Sequence, residues 1–348
     1  MNLRTHLLAG QAIPAHPLAL DAQRQFSEKH QRALTRYYLA AGVGGLAVGV
    51  HSTQFEIRDP KHDLFRTVLE LTAITAKEER QSSSREVALI AGICGRTPQA
   101  IAEAVLARSL GYHAGLVSMG AYKTETESEI IAHIAAVGKV IPVIGFYLQP
   151  AVGGRVFSHS FWARFAEIPE VVAIKIAPFN RYQTIDVVRA VVASGREDVA
   201  LYTGNDDTIV ADLLTPFTFN CAGRPVTRRI VGGLLGHWGV WTHAAVRQQQ
   251  QLKLAAAQPQ IDATWLRTAA AVTDMNAVLF DAAHNFQGCI PGILEILRRQ
   301  GLVETNHCLN PHEVLSPGQA QELDRVTAAY PELIDDAFVA EHRDHWLR

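Results

Sequence analysis

Cysteine is scarce in this chain of 348 residues, which contains only four, and no two of them form a CxxC pair. Scattered single cysteines exclude a disulfide framework and a cysteine-based zinc site as the organising feature of the fold. They are typical of free thiols in a reducing compartment, so we expect a cytoplasmic protein. The four residues are Cys94, Cys221, Cys289 and Cys308.

Long apolar runs and a strong charge of either sign are also missing. No segment has an uninterrupted apolar stretch of membrane-spanning length, and the N-terminal residues lack the long apolar core of a signal peptide. The formal net charge is −2, which gives no reason to expect nucleic acid or an anionic membrane as a partner. With 48% hydrophobic residues the chain can bury a large core, either one barrel with an appendage or two domains.

The fifteen histidines form none of the spacings typical of metal sites. There is no HExxH, and no HxH lies near the first predicted strand. His16, His51, His113 and His237 are single residues on separate predicted elements. We therefore expect no metal site, although histidines distant in sequence can still converge in space.

Short β-branched or apolar runs alternate with longer amphipathic or alanine-rich segments along the first two thirds of the chain. This alternation indicates repeated βα units and a parallel sheet. Eight such runs predict a (β/α)8 TIM barrel. They cover residues 11–15, 44–50, 87–95, 114–120, 140–147, 171–177, 199–204 and 229–236.

Helices are expected between these runs and again after the last one. The predicted barrel helices include residues 22–41, 62–76, 98–110 and 125–137. Thr97 is predicted to cap one of them ahead of Pro98. Helical stretches near 246–257, 263–283 and 290–301, followed by a polar tail from about Asn306, predict a C-terminal helical extension. The expected organisation is a barrel over residues 1–243 and the extension over 244–348.

Lys175 stands inside the run VVAIKIA, Val171 to Ala177, which otherwise predicts a buried strand. Burial without a partner lowers the pKa of a lysine toward the range in which its neutral amine attacks a carbonyl. Schiff-base chemistry is the leading hypothesis. The alternative is a lysine at a strand end that reaches solvent or pairs with a carboxylate.

Tyr147 ends the preceding predicted strand, and alternation places it on one face with Val143 and Gly145. Gly145 and Ala173 are small enough to leave inward space beside Tyr147 and Lys175. A phenol next to an amine can relay protons. The alternative is an aromatic side chain whose hydroxyl only binds backbone.

Several ordered segments resemble the dihydrodipicolinate synthase and N-acetylneuraminate lyase superfamily of class I aldolases. VIPVIGFYLQP at 140–150 resembles the family's strand ending in tyrosine, and VVAIKIA resembles its lysine strand; Tyr147 and Lys175 are 28 residues apart, as in the family. LYTGNDD at 201–207 and GGLLGHWGVWT at 232–242 resemble its two glycine-containing segments. The similarity extends over about residues 11–301.

The resemblance implies a barrel with a helical C-terminal extension that assembles as a homo-oligomer, a dimer or a homotetramer. It implies that Lys175 forms an imine with a pyruvate-type 2-oxo acid or sugar acid and that Tyr147 transfers protons. No metal or cofactor takes part in that chemistry. Tyr122 corresponds to a tyrosine that crosses to the neighbouring subunit's site and is a candidate proton relay.

Two departures from the family pattern concern substrate binding. The Gly-Thr-Thr-Gly-Glu signature after the second strand is replaced by VHSTQ at 50–54, where His51, Ser52 and Thr53 can still donate hydrogen bonds to a carboxylate. Val152 occupies the position of the arginine that dihydrodipicolinate synthases use for their second substrate. The resemblance therefore implies a Schiff-base lyase other than dihydrodipicolinate synthase itself.

Further candidate binding residues follow the last two barrel strands. Asn205, Asp206 and Asp207 are candidates for contacts with the hydroxyls of a sugar-like substrate, and Gly233 is a candidate for close approach of the backbone to the substrate. The alternative for the first three is a turn that caps the following helix. The alternative for His51 is a residue that only caps the following helix or faces solvent.

Three other functions stay open. A metal-dependent barrel hydrolase or class II aldolase would need convergent histidines and carboxylates. A phosphate-binding barrel is suggested by GGLLG at 232–236, although glycine there is equally explained by tight packing. A barrel without turnover could act as a ligand sensor.

Overall fold

A computed structural model describes residues 1–80 and 85–348 of the chain. Its centre is a barrel of eight parallel strands, as the alternating pattern predicts. The barrel strands are β1 (Ala12–Pro14), β2 (Gly45–Val48), β3 (Ala88–Ile93), β4 (Ala114–Val117), β5 (Val143–Leu148), β6 (Val171–Ala177), β7 (Ala200–Thr203) and β10 (Gly232–Leu235).

Contacts between β1 and β2 close the barrel. Ala15 bridges Ala47 in parallel, and the His16 backbone N–H donates to the Ala47 carbonyl over 2.8 Å. On the other side, β1 pairs with β10, which pairs with β7. The predicted (β/α)8 TIM barrel is therefore confirmed.

The helices of the barrel lie outside this sheet because their apolar faces pack on the outward side chains of the strands. They are α2 (Glu28–Ala41), α3 (Phe65–Glu79), α4 (Thr97–Ser109), α5 (Glu127–Gly138), α6 (His159–Glu167), α7 (Arg181–Ala193), α8 (Ile209–Leu214) and α9 (Thr242–Ala256), after an N-terminal α1 (Leu3–Leu8). The predicted cap of α4 is wrong by one residue, because Arg96 has the extended backbone of the cap and Thr97 begins the helix.

An antiparallel hairpin interrupts the last βα repeat and was not predicted. It consists of β8 (Phe217–Cys221) and β9 (Arg224–Arg228), joined by Ala222 and Gly223 at φ 50° and 80°. Two successive residues with positive φ match the tight turn that joins twisted strands. Arg228 donates to the carbonyls of Arg196 and Val199, so the hairpin lies at the amino-terminal end of β7.

The C-terminal extension contains α10 (Thr264–Leu279), α11 (Cys289–Arg299), α12 (Gln319–Ala329) and α13 (Asp336–Trp346). The expectation of a polar tail from about Asn306 is wrong, since α12 and α13 bury Leu323, Val326 and Val339. α9 packs on α8 and α2 as the eighth barrel helix. The boundary at residue 243 stays a prediction.

Asp335 ties the extension to the barrel. Its Oδ2 accepts hydrogen bonds from the Tyr37 hydroxyl at 2.8 Å and the His243 backbone N–H at 2.9 Å, while Oδ1 accepts from Gln300 at 2.9 Å. A buried carboxylate requires such partners, so α2, α9 and α11 are held in one arrangement.

Among the described residues, no helix has both the length and the apolar character needed to cross a membrane.

A buried ion pair fixes the segment after β2. Arg58 Nε lies 3.0 Å from Glu103 Oε1, with only 10% and 9% of the two side chains exposed. Arg58 Nη2 donates to the carbonyls of Gly49 and Gly92, and Glu103 Oε2 accepts from the Cys94 backbone. The pair therefore links β2, β3 and α4 beneath residues 51–53.

We expect Arg58→Met to lower the free energy of unfolding by about 3–5 kcal/mol, because it leaves the Glu103 carboxylate buried without its cation. Denaturant unfolding followed by circular dichroism measures the change. Arg189→Met, which breaks an exposed ion pair with Asp186, is the matched control and should cost about 1 kcal/mol or less. An equal decrease in the free energy of unfolding in the two variants would show that the Arg58–Glu103 pair contributes no more than an exposed ion pair.

Candidate active site

A cavity of about 70 Å³ lies at the carboxyl ends of the barrel strands, where barrels of this kind place their catalytic groups. That is room for several water-sized spheres. Four phenyl rings line it, from Phe146, Phe179, Phe280 and Phe286. Its polar side chains come from His51, Ser52, Gln149, Lys175 and Asp206.

Lys175 projects from β6 into this cavity, on the inward side with Ala173 and Ala177. The side chain is 8% exposed, and its Nζ lies 4.4 Å from the centre of the Phe146 ring. Gly204 makes room for it, since a Cβ there would lie 2.6 Å from Lys175 Cε. Lys175 forms no ion pair with any residue that the structure describes.

Burial lowers the pKa of Lys175 to about 8, because the amine loses hydration. The nearby carboxyl of Asp206 opposes this shift, as does the Cys289 thiol. A face-on phenyl ring also favours the cation, but it is weaker than a charged partner. At a pKa of about 8 the neutral amine is the minor form at pH 7, about one molecule in ten, and becomes the major form above pH 8.

Tyr147 does not face Lys175, and the prediction that the two side chains share a cavity is wrong. In the register of β5 and β6, Val143 pairs with Val171 but Ile144 pairs with Ala173. This irregularity sets Phe146 opposite Lys175 and turns Tyr147 outward.

The outward side of β5 packs against helix α6. There the ring of Tyr147 lies 4.9 Å from Trp162, and its hydroxyl accepts a 3.4 Å hydrogen bond from the Phe157 backbone. Gly145 also faces outward, since a Cβ there would meet Phe165. Gly145 and Ala173 were both predicted to leave inward space. Only Ala173 does so.

Asp206 follows β7 and is the carboxyl group that the structure brings to the cavity with Lys175. It is 9% exposed, and Oδ1 accepts a 3.2 Å hydrogen bond from the His237 backbone. Burial raises the pKa of Asp206 well above its ordinary value, and the charge of Lys175 opposes that shift. The two groups can therefore exchange protonation states near neutral pH.

The segment after β2 brings two of its three predicted residues to the cavity. His51 and Ser52 lie in a short 3-10 helix, His51–Thr53, and both line the cavity. The Ser52 hydroxyl donates to the Ala15 carbonyl at 2.9 Å, which leaves its oxygen able to accept. Burial, and secondarily the charge of Lys175, lower the pKa of His51 to about 4. His51 is therefore neutral at pH 7.

Thr53 is not a substrate-binding residue in this structure. Its hydroxyl accepts from the backbone N–H groups of Gly49 and Val50 and donates to the His16 carbonyl at 2.7 Å. These bonds use the whole capacity of the hydroxyl. Thr53 instead holds the turn that presents His51 and Ser52.

Asn205 also points away from the cavity. Its Nδ2 donates to Thr184 and Asp212, and its Oδ1 accepts from the Phe179 backbone N–H at 3.0 Å. The amide is therefore occupied within the protein, and the expected contact with substrate hydroxyls is wrong. Its structural effect is to fix the backbone of Phe179.

Gly233 and Tyr122 are likewise outside the cavity. A Cβ on Gly233 would collide with Leu235 and Trp238, which places this face of β10 toward the helices. The Tyr122 hydroxyl accepts from the Thr97 backbone at 3.1 Å, and its ring lies 4.6 Å from His133. The contacts of Gly233 conflict with its predicted role, whereas the role of Tyr122 at a neighbouring subunit's site stays a prediction.

Sequence reasoning missed the aromatic wall and Cys289. Phe146 is adjacent to Tyr147, and only the register irregularity decides which of them faces inward. Phe280, Phe286 and Cys289 come from the C-terminal extension, to which strand alternation does not apply. The four phenylalanines lie in three separate segments of the sequence and follow no regular spacing, so no sequence pattern indicates that their rings line one cavity.

No group of three histidine, cysteine, aspartate or glutamate side chains that could hold a metal ion is found across residues 1–80 and 85–348. His16 is buried with Nδ1 2.9 Å from the Pro17 carbonyl and Nε2 2.9 Å from the Thr35 hydroxyl. The metal-dependent alternative thus has no ligand set in the described part of the chain.

Comparison with protein families gives a match to the dihydrodipicolinate synthetase family over residues 9–329. A 4-hydroxy-tetrahydrodipicolinate synthase of Anaeromyxobacter dehalogenans (strain 2CP-C) is 24% identical over 278 residues, covering 78% of this chain and 81% of that protein.

Solved structures share the fold. N-acetylneuraminate lyase from Fusobacterium nucleatum superimposes with a TM-score of 0.70 at 18% identity, over 94% of this chain and 100% of that one. Dihydrodipicolinate synthase from Acinetobacter baumannii, complexed with pyruvate, superimposes with a TM-score of 0.72 at 18% identity, over 93% and 99%.

We expect Lys175→Met to raise the free energy of unfolding at pH 7 by about 1–3 kcal/mol, since each unit of pKa shift corresponds to about 1.4 kcal/mol. Because the folded pKa of about 8 is below that of an unfolded lysine, the penalty is complete below pH 8. It disappears as the pH rises through the unfolded value of about 10.4.

Denaturant unfolding of both proteins between pH 7 and pH 10.5 measures this difference. Lys61→Met, at a side chain that is 69% exposed, is the control and should change little at any pH. If Lys175→Met is less stable than the parent protein at pH 7, burial of the Lys175 amine does not destabilise the folded state and the prediction is wrong.

Proposed function

The chain belongs to the dihydrodipicolinate synthetase family, a family of lyases, and we propose that it forms an imine between Lys175 and a 2-oxo acid. The observation that carries this proposal is one buried amine with a lowered pKa, in a cavity at the carboxyl ends of the barrel strands. Pyruvate bound to the Acinetobacter baumannii relative supports the choice of substrate class.

The reaction begins when the neutral Lys175 amine attacks C2 of the 2-oxo acid. The resulting carbinolamine loses its hydroxyl group with a proton as water, giving an iminium ion that draws electrons from the neighbouring bond. In a 4-hydroxy-2-oxo acid, the C4 hydroxyl loses its proton to a base and the C3–C4 bond breaks. An aldehyde leaves, and the bonding pair forms an enamine.

Protonation of the enamine at C3 and addition of water to the imine then release the shortened 2-oxo acid and restore Lys175. Every step is reversible, so the same groups serve condensation. These steps do not determine the identity of the substrate. They also do not determine whether the protein cleaves or condenses it.

Asp206 is the group that we assign to proton transfer. With Tyr147 turned outward, it is the carboxyl that shares the cavity with Lys175, and its raised pKa suits a group that both gives and takes protons near pH 7. The neutral imidazole of His51, which carries one N–H donor, is the polar group assigned to the substrate carboxylate. The Ser52 hydroxyl lines the same cavity, but its proton goes to the Ala15 carbonyl, so in this arrangement its oxygen can only accept a hydrogen bond.

A barrel that binds a 2-oxo acid without turnover is a second candidate, because the phenol that the family resemblance implied is absent from the cavity. Such a sensor would still form the imine but would not break a carbon–carbon bond. Imine formation and product release therefore need separate measurements.

We also propose that the protein works in the cytoplasm as a homo-oligomer of two or four chains on a small-molecule substrate. The free thiols of all four cysteines support a reducing compartment. Large apolar side chains that remain exposed near the start of the extension support an interface; they are Leu254, Ile261 and Leu266.

Borohydride reduction in the presence of pyruvate and larger 2-oxo acids is expected to attach the acid irreversibly to Lys175. Peptide mass mapping identifies the modified residue. Lys253, an exposed side chain that donates to the Gly10 carbonyl at the other end of the barrel, supplies the control. Lys253→Met should keep the adduct and Lys175→Met should lose it; labelling that survives in Lys175→Met would refute the imine.

The rate of trapping should rise with pH and reach its half-maximal value near pH 8, because only the neutral amine attacks. In Asp206→Asn the attraction that favours the ammonium is gone, so this midpoint should shift to lower pH. Turnover should also fall by about a hundredfold or more.

Tyr147→Phe removes a hydroxyl outside the cavity and is the control for Asp206→Asn. A hundredfold loss of turnover in Tyr147→Phe, with Asp206→Asn unchanged, would assign proton transfer to the tyrosine. Imine formation without turnover of any 2-oxo acid that reacts would favour the sensor.

A further inference from the structure

Four phenylalanine side chains line the cavity, together with aliphatic side chains such as Leu148, Val152 and Ile293. Phe146 belongs to β5 and Phe179 follows β6, whereas Phe280 and Phe286 belong to the loop between α10 and α11. Barrel and extension thus contribute two rings each. The four rings come from three separate segments of the chain.

Two of these rings are held by an unusual backbone. Phe179 and Phe286 have φ values of 50° and 66°, in the left-handed region that bulky residues rarely occupy. Their ring centres are 5.8 Å apart at an angle of 73°, the edge-to-face arrangement that aromatic rings prefer. The pair closes one side of the cavity.

Polar groups outside the cavity hold each backbone in place. Asn205 Oδ1 accepts from Phe179 N–H at 3.0 Å, and the Asp281 carbonyl accepts from Phe286 N–H at 3.0 Å. The Asp281 carboxylate in turn accepts from the Gly288 backbone at 2.9 Å and from the Ser316 hydroxyl at 2.5 Å. The two rings are therefore positioned by a hydrogen-bonded framework.

The phenyl rings cannot hydrogen-bond with a polyhydroxylated substrate tail. Burying a hydroxyl group without a hydrogen-bonding partner costs more free energy than an apolar contact contributes. Asn205 and Thr53, the nearby polar side chains, are committed within the protein. Beyond the groups assigned to the reacting end, Gln149 is the remaining polar side chain of the cavity.

Space for a larger substituent lies beyond Phe286. The inner cavity shares His51, Val152 and Phe286 with a second cavity of about 500 Å³, whose lining is mainly polar and includes Glu56 and Gln287. A flat group attached to the 2-oxo acid can therefore pass along the Phe286 ring, and any polar groups at its far end would reach this outer cavity. Phe286 lines both cavities, so its ring lies beside any group that extends from one to the other.

We infer that the substrate carries an aromatic ring beyond the reacting carbon, held by Phe286 together with Phe179 and Phe280. This inference rests on the proposed imine at Lys175 and narrows its substrate class. Aromatic pairs add attraction beyond the burial of apolar area, so an aryl group is favoured over an alkyl group of similar size.

Borohydride trapping with a panel of 2-oxo acids tests the inference on the unaltered protein. The probes are pyruvate, 2-oxo-4-phenylbutanoate, 2-oxooctanoate and a trihydroxylated 2-oxohexanoate, each at the same subsaturating concentrations. We expect the phenyl compound to be trapped at least about tenfold more efficiently than the hydroxylated one and about threefold or more above the alkyl one.

Phe286→Leu preserves an apolar side chain but removes the ring. It should lower the preference for the phenyl compound over the alkyl compound by about threefold to tenfold. Phe219→Leu, at a half-buried phenylalanine of the β8–β9 hairpin, is the matched control and should leave that preference unchanged. Thermal unfolding of both variants verifies that they fold.

The outcomes separate the inference from the proposed function. Trapping of pyruvate with a preference for the hydroxylated acid, or with equal trapping of phenyl and alkyl acids, overturns the aromatic substrate and leaves the imine intact. Absence of an adduct with all four acids overturns the imine and the inference with it. A phenyl preference that Phe286→Leu reduces supports both.

Discussion

Desolvation of one amine is the constraint on which the site depends. The small residues Ala173, Ala177 and Gly204 leave space for the Lys175 side chain, and the ring of Phe146 occupies the place beside it. Asp206 moderates the loss of hydration without forming an ion pair. A closer carboxylate would keep the amine charged, whereas a fully apolar surround would remove the means to move protons.

A single irregularity in strand pairing determines which side chain of β5 faces Lys175. Between β5 and β6 the register shifts after Val143, and the phenol of Tyr147 is exchanged for the phenyl ring of Phe146. The inward position thereby becomes apolar, and Asp206, after β7, is the group to which we assign the acid–base role. Such a shift changes the chemistry of a barrel without changing the order of its strands.

The barrel could be predicted from sequence because eight strands repeat one apolar pattern, and Lys175 because it breaks that pattern. Asp206 was identified by its position after a strand. Tyr147, Gly233, Asn205 and Thr53 were misplaced because side-chain direction depends on register and on hydrogen bonds between distant residues.

The extension shows the same limit. The apolar positions of α12 and α13 were too sparse to be recognised in a segment that otherwise reads as polar. The left-handed backbone of Phe179 and Phe286 has no signal in the sequence, since bulky residues normally avoid that conformation. What the sequence leaves undetermined is therefore the wall of the cavity rather than its reacting amine.

The phenyl lining also bears on the lifetime of the imine that we propose at Lys175. Release of that imine requires water at its carbon, and the cavity of about 70 Å³ has room for several water molecules at most. By limiting the entry of further water, the four rings would favour reaction of the proposed imine with an aldehyde over its hydrolysis.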